Sequence, residues 1–308
     1  MSIRLSLFDK PDALKVPVHT ITMHQHPIQL IRFDLLHPEY GGNKWFKLKY
    51  NLQKALSEGR KTVISFGGPY SNHLYALAAV CRDYDLQAVG VIRGDAHYLS
   101  NECLNFCRSA GMALQFLSKT DYAQRMHSEF LNTLYARYPD AYIIPDGGDN
   151  DEGLKGASEM SMYIPENLTQ LFISCGTFAT ISGILSKLSH HISVWGIPVL
   201  KAESWAAEVI HQQLQRLLKD GRDRSAQYQI TTEYHFGGYA KVNAELKAFH
   251  SSLKIDYGIH TDLVYGAKLF YALDDRIRRN SFNELDRIGV IMCGRPSFVP
   301  NHKEYVNS

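Results

Sequence analysis

The chain of 308 residues has almost no excess of either charge: 33 Lys and Arg stand against 31 Asp and Glu, a formal net charge of +2. Neither a basic field for nucleic acid nor a polybasic face for anionic lipid is therefore expected. Mean hydropathy is −0.24, and no run approaches the roughly 20 apolar residues of a membrane-spanning helix, so no membrane span is expected. Cysteine is scarce: Cys81, Cys103, Cys107, Cys175 and Cys293 are odd in number, scattered, and include no CxxC pair. A disulfide framework or a zinc site is thus not expected, and reduced thiols in a cytoplasm fit best. Residues 1–17 mix charges and prolines through their apolar stretch, unlike a secretory signal. His24 with His26, and His190 with His191, have no Cys, Asp or Glu nearby at ligand spacing, so no metal site is expected.

What is present is a folding composition, 45% hydrophobic and 21% charged, in a chain long enough for about two domains. Short β-branched runs alternate with helical patterns. Thr62–Phe66, Ala88–Ile92, Leu114–Leu117 and Tyr142–Ile144 read as strands, with helices over Leu74–Tyr84, Glu102–Ser109 and Tyr122–Tyr138. The second half continues with strands at Leu171–Ser174, Val194–Leu200, Ile230–Tyr234 and Gly289–Met292, and helices at Thr177–Leu188, Trp205–Lys219 and Gly266–Arg279. This alternation predicts an α/β fold of parallel sheets flanked by helices. Ligands in such sheets bind beyond the carboxyl ends of the strands, so chemistry should sit in the turns that follow them.

Three segments stand out. Gly67-Gly68-Pro69-Tyr70-Ser71-Asn72-His73 joins a strand to a helix. Ser71 and Asn72 there either cap the helix or, with its free N–H groups, hold a carboxylate. Ser174-Cys175-Gly176-Thr177-Phe178-Ala179-Thr180 is a second such junction, with small and hydroxylated residues that suit a phosphate but match neither dinucleotide nor nucleoside-triphosphate loops. Tyr40-Gly41-Gly42-Asn43-Lys44 precedes the amphipathic run Trp45–Leu56. Its lysine is either an exposed cap residue or an amine placed to form a Schiff base.

Together these segments resemble the pyridoxal-phosphate enzymes of the tryptophan-synthase-β fold, and within them the group containing D-cysteine desulfhydrase and 1-aminocyclopropane-1-carboxylate deaminase. The resemblance rests on Gly41-Gly42-Asn43-Lys44 with Lys47-Leu48-Lys49-Tyr50, on Ser65 to His73, and on Ile144-Pro145-Asp146-Gly147-Gly148-Asp149-Asn150 through Gly153 and Gly156. Cys175 to Thr180 and Val264-Tyr265-Gly266-Ala267-Lys268 complete it, in the same order as in the group. It implies two α/β domains, a larger one over 1–44 and 146–308 and a smaller one over 45–145, with the active site in the cleft between them, and a homodimer. It implies that Lys44 bonds the pyridoxal 5′-phosphate and then acts as base, that Ser71 holds the substrate carboxylate, and that Asn72 meets the cofactor's 3′-oxygen. Gly176, Thr177, Phe178, Ala179 and Thr180 would cradle the phosphate, Tyr239 and Tyr265 flank the substrate, and Cys293 sit by the pyridine nitrogen.

The departures bear on substrate. Gly266 and Cys293 stand where deaminases of the group carry Glu and Leu. A free thiol, with a reference pKa near ~8.5, would not hold the pyridine nitrogen protonated. A less electron-poor ring suits prompt loss of a good leaving group, so the sequence favours D-cysteine desulfhydration, giving pyruvate, ammonia and sulfide. The alternatives are the 1-aminocyclopropane-1-carboxylate deaminase reaction, or deamination or racemisation of another small amino acid. Tyr70 replaces a usual glutamine and Phe178-Ala179 a more glycine-rich turn, which leaves room for a cofactor-binding protein without catalysis. A nucleotide-binding protein is a weaker third reading. Arg295 is either a partner for a second acidic group on a larger substrate or a solvated surface residue.

Overall fold

The computed structural model describes residues 14–294, so Arg295 lies outside the described residues. The described residues divide into two units, one running from Lys44 to Gly156 and the other formed by 14–43 together with 157–294. In the latter, β1 (Val18–Met23) and β2 (His26–Ile31) form an antiparallel hairpin. Its turn residues His24 and Gln25 both have positive φ, 47° and 68°, the backbone form that matches the twist of the flanking strands. His24 Nε2 also donates to Asp274 Oδ1 at 2.6 Å, and His191 Nε2 donates to the Glu166 carbonyl.

Helix α1 (Asn43–Ser57) then leads into β3 (Thr62–Gly67), α2 (Asn72–Asp83), β4 (Gln87–Arg93), α3 (Glu102–Ser109), β5 (Ala113–Leu117), α4 (Lys119–Ala123), α5 (Ser128–Arg137), β6 (Ala141–Ile144) and α6 (Asp151–Glu159). The four strands of this unit form a parallel sheet in the order β5-β4-β3-β6. Every residue of β3 is buried, as a central strand covered on both faces requires. Ile64, Phe66, Val89 and Val91 pack with Tyr122 and Leu134 into its core.

The chain continues through β7 (Gln170–Cys175), α7 (Ala179–Lys187), β8 (Ser193–Pro198), α8 (Ala206–Leu217), β9 (Tyr228–Ile230), α9 (Ala244–Tyr257), α10 (Gly266–Arg278) and β10 (Ile288–Ile291). The sheet order is β1-β2-β10-β7-β8-β9, parallel except for the opening hairpin. Phe172 and Trp195, on neighbouring strands, stack with centroids 5.4 Å apart, and Phe282 meets both edge-on. This places β7 and β10 in the middle of the sheet, so their carboxyl ends open onto central turns.

The α/β class with parallel sheets is as expected, and two elements differ. The helix expected over Tyr122–Tyr138 is two helices, α4 and α5, broken at 124–127. Arg125 explains the break: its guanidinium takes the Tyr122 carbonyl at 3.0 Å and pairs with Asp146 at 2.6 Å, supplying the helix end with a donor other than the next turn. The strand expected over Ile230–Tyr234 stops at Ile230, and Thr232–His235 is a 3₁₀ turn. There the buried Tyr234 donates its hydroxyl to Asp275 at 2.5 Å, which ties the chain to α10 in place of the sheet edge.

Candidate active site

In the unit from Lys44 to Gly156, Lys44 is the second residue of α1 and half-buried. Ser71 is the N-cap of α2: its hydroxyl accepts from the Leu74 N–H at 3.3 Å. The capping role is therefore realised, and the hydroxyl hydrogen points away from the helix it caps. Gly67 makes room for it, since a Cβ on Gly67 would lie 2.6 Å from Ser71 Oγ. Asn72 opens the first turn of α2, where N–H groups have no acceptor within the helix.

His73 is buried directly behind this turn. Ser65 Oγ donates to the Ile144 carbonyl at 2.8 Å, so it accepts from His73 Nε2 at 3.0 Å. Nδ1 is then the bare acceptor nitrogen of the ring, and it has no partner among the described residues. Burial, with the positive charges of Lys47 and Lys44, holds the His73 pKa well below the ordinary imidazole value. The ring is neutral, and Lys44 is near enough for its charge to be felt there. Lys47 itself donates to the Gly147 carbonyl at 2.8 Å. The glycines of the following stretch are needed for close approach: a Cβ on Gly156 would lie 1.8 Å from the Phe46 carbonyl oxygen, so α6 meets α1 backbone to backbone.

In the other unit, the turn after β7 carries the expected phosphate segment. Phe178 precedes α7 in a left-handed conformation, φ 60°, and no side chain caps the helix. The helix begins at Ala179, two residues later than the pattern predicts, because Phe178 breaks the helical backbone. A left-handed non-glycine residue costs about 1–2 kcal/mol. Its ring is only 2% exposed and meets Trp205 edge-on at 5.3 Å, and burial of such a ring returns roughly 1.5–3 kcal/mol. The phenylalanine can therefore stand in a backbone form that otherwise favours glycine.

Thr177 Oγ1 is buried and has no hydrogen-bond partner among the described residues. The rest of the turn is braced. Gln213 of α8 donates to the Thr177 carbonyl at 2.9 Å and accepts from Ser182 at 2.8 Å, and Asn43 donates to Thr180 Oγ1 at 2.8 Å. Beside it, a Cβ on Gly176 would lie 3.2 Å from the Tyr265 hydroxyl. Tyr265 packs edge-on against Tyr239 at 6.3 Å. Burial, reinforced by Tyr239 and Asp262, pushes the Tyr265 hydroxyl pKa well above its ordinary value. Asp262 accepts from the N–H groups of Val264 and Tyr265 at 2.8 and 2.7 Å, and its carboxylate lies over Gly294, 2.5 Å from where a Cβ would be. Cys293 backs onto Gly42, whose Cβ would fall 2.2 Å from the Cys293 carbonyl oxygen. Gly176–Thr180, Tyr239 and Tyr265 thus converge in one unit, with Cys293 joined to them through Gly294 and Asp262. Lys44, Ser71 and Asn72 belong to the other.

Asp262, Gln213 and Lys268 shape the site without having been assigned a part in it from sequence. Asp262, four residues before the start of α10, carries a capping signal that was available. Gln213 carries none, because its partners lie on another helix and turn.

The family model "Pyridoxal-phosphate dependent enzyme" matches residues 17–294, and the chain belongs to that family, with pyridoxal 5′-phosphate as its cofactor. Among its relatives is a protein of Pyrococcus horikoshii provisionally named a 1-aminocyclopropane-1-carboxylate deaminase, 28% identical over 83% of this chain and 81% of its own. A D-cysteine desulfhydrase of Klebsiella pneumoniae is 25% identical over 91% of this chain and 90% of its own. The crystal structure of a homologue of 1-aminocyclopropane-1-carboxylate deaminase shares the fold with a TM-score of 0.82, covering 96% of this chain and 92% of that one, at 23% identity. The residues present fit the cofactor: an uncapped helix N-terminus, and a buried threonine hydroxyl without a partner among the described residues, suit a phosphate.

Proposed function

We propose that the protein is a lyase that deaminates a small amino acid, with 1-aminocyclopropane-1-carboxylate as the first substrate to consider. The observation that carries the site assignment is the unpartnered buried hydroxyl of Thr177 at the uncapped start of α7. Thr177 and the N–H groups of 178–180 hold the cofactor phosphate, where free N–H groups and the helix dipole favour an anion. Lys44 would hold the cofactor, and its amine would be the base that takes the proton from the substrate α-carbon. Ser71 donates its hydroxyl hydrogen to the substrate carboxylate at the N-terminus of α2, so that the Cα–H bond is presented to Lys44. Asn72 serves the cofactor's 3′-oxygen, and Tyr239 and Tyr265 flank the substrate. Pyridoxal phosphate, when bound, supplies the electron sink that makes the α-proton removable. Neutral His73 adds no positive charge behind Ser71, so the carboxylate is held by hydrogen bonds and the helix terminus.

The sequence reading placed D-cysteine first. The provisional name of the Pyrococcus relative favours the cyclopropane acid. D-Cysteine remains the second reading, favoured by Gly266 and Cys293 and by the Klebsiella relative. Initial rates of ammonia release from the cyclopropane acid, D-cysteine, D-serine and L-serine decide between them. The cyclopropane acid should lead. Faster release from D-cysteine, with sulfide in equal amount, reverses the order of the two readings.

Thr177→Val tests the phosphate site. Loss of one hydrogen bond to a charged group should weaken pyridoxal-phosphate binding about tenfold, some 1.4 kcal/mol. The cofactor-free protein should melt no lower than the parent, because the lost hydroxyl had no protein partner there. Equal affinity in parent and variant, measured by titration of the visible band, removes Thr177 from the phosphate site.

A further inference from the structure

Lys268 closes the segment that begins at Val264-Tyr265, and the proposed chemistry gives it nothing to do. Its side chain is 0% exposed. Nζ donates to three backbone carbonyls: Val199 at 3.2 Å, His235 at 2.8 Å and Gly238 at 2.9 Å. An ammonium has three N–H donors, and all three are used. Burial lowers its pKa to about 8, against the opposing pull of Asp262. A charge so placed is costly to bury, and an apolar side chain would fill the same space more cheaply. What the amine supplies is direction: two of its acceptors, the His235 and Gly238 carbonyls, lie at the start of and within the bend that carries Tyr239.

That bend is unusual. Phe236, Gly237, Gly238 and Ala240 all have positive φ, at 53°, 93°, 125° and 57°, so Tyr239 sits in a run of backbone that a chain does not adopt unaided. Lys268 stands three residues after Tyr265 at the start of α10. The start of α10 and the turn before it therefore brace both tyrosines: Asp262 holds the Tyr265 backbone, and Lys268 holds two carbonyls shortly before Tyr239.

We infer that Lys268 is a positioning residue for substrate, holding the 235–240 bend so that Tyr239 is kept against Tyr265 and the two present a single face to the amino acid. This rests on the reading of Tyr239 and Tyr265 as substrate-flanking residues.

Lys268→Met tests it by two separate readouts. Amide hydrogen exchange over 236–241 should quicken at least tenfold while β7 and β8 keep their protection. The amino-acid concentration that half-saturates the spectral change of the bound cofactor should rise at least fivefold, with cofactor affinity within twofold of the parent. If Lys268→Met does not fold, Gly238→Ala loosens the bend with Lys268 in place. Its φ of 125° disfavours any side chain, and nothing lies within 4 Å of the added Cβ, so the same pair of changes should appear. Unchanged exchange in 236–241 overturns the tether. Faster exchange in the bend with unaltered amino-acid response overturns the positioning role. A parent protein whose spectrum answers to no amino acid sinks the reading of the site and the substrate half of this inference, while exchange still decides whether Lys268 holds the bend.

Discussion

Lys44→Ala should lower turnover by at least the roughly 10²–10⁴-fold that a positioned acid–base group contributes, and in practice to background, because the same amine also bonds the cofactor. The fold should survive. Lys44 is half-buried at the second position of α1, and alanine is the best helix former. Thermal melting of the cofactor-free proteins should therefore coincide within a few degrees. Retained turnover would contradict the role given to Lys44, and a collapsed melting temperature would show that the lysine serves the fold.

The second large effect is expected from Gly42→Ala, two residues before Lys44. Gly42 has φ 77°, and an added Cβ would lie 2.2 Å from the Cys293 carbonyl oxygen and 3.0 Å from its carbon. The left-handed backbone costs about 1–2 kcal/mol for a non-glycine residue. Forcing the collision adds about 1–3 kcal/mol of overpacking, and main-chain atoms have no rotamer by which to yield. The 293–294 turn must move, and with it the contact between Gly294 and Asp262 that braces Tyr265. A loss of about 2–5 kcal/mol and more than tenfold weaker cofactor binding are expected. Gly59→Ala is the control. Gly59 has φ 69° but nothing within 4 Å, so it should show the backbone cost alone. Equal effects at the two glycines would mean that the approach of Cys293 is unimportant.

Much of this fold was legible because strands and helices differ in period. β3 with α2, and β4 with α3, lie where the apolar spacing puts them. The β1–β2 hairpin was not, for a physical reason: its turn is His24-Gln25 in positive φ, without the Asn-Gly or Asp-Gly pair that signals such turns. Helix α6 was hidden by Gly153 and Gly156, which lower helix propensity but are required where α6 meets the Gly148 carbonyl and the Phe46 backbone respectively. The turns that the proposal uses were legible as candidates because they follow strands, at Gly176–Thr180 and Ser71-Asn72. The support beneath them was not. Gln213 and Lys268 act on main-chain carbonyls far away in sequence, and backbone acceptors leave no mark on residue type; Asp262, which takes N–H groups only two and three residues on, was the exception. Phe178 marks the opposite case, a residue that reads as a departure and whose backbone nevertheless adopts the turn, held by Trp205.

The most direct test of the central claim is to load the purified protein with pyridoxal 5′-phosphate, reduce the cofactor–lysine bond with borohydride, and locate the modified residue by peptide mass spectrometry. Segment 44–49 holds three lysines, Lys44, Lys47 and Lys49, so the answer is specific. Lys44 should carry the pyridoxyl group, with Lys47 unmodified because its amine is committed to the Gly147 carbonyl. A modification on Lys47, on Lys49 or on no residue of this segment would contradict the account of the site.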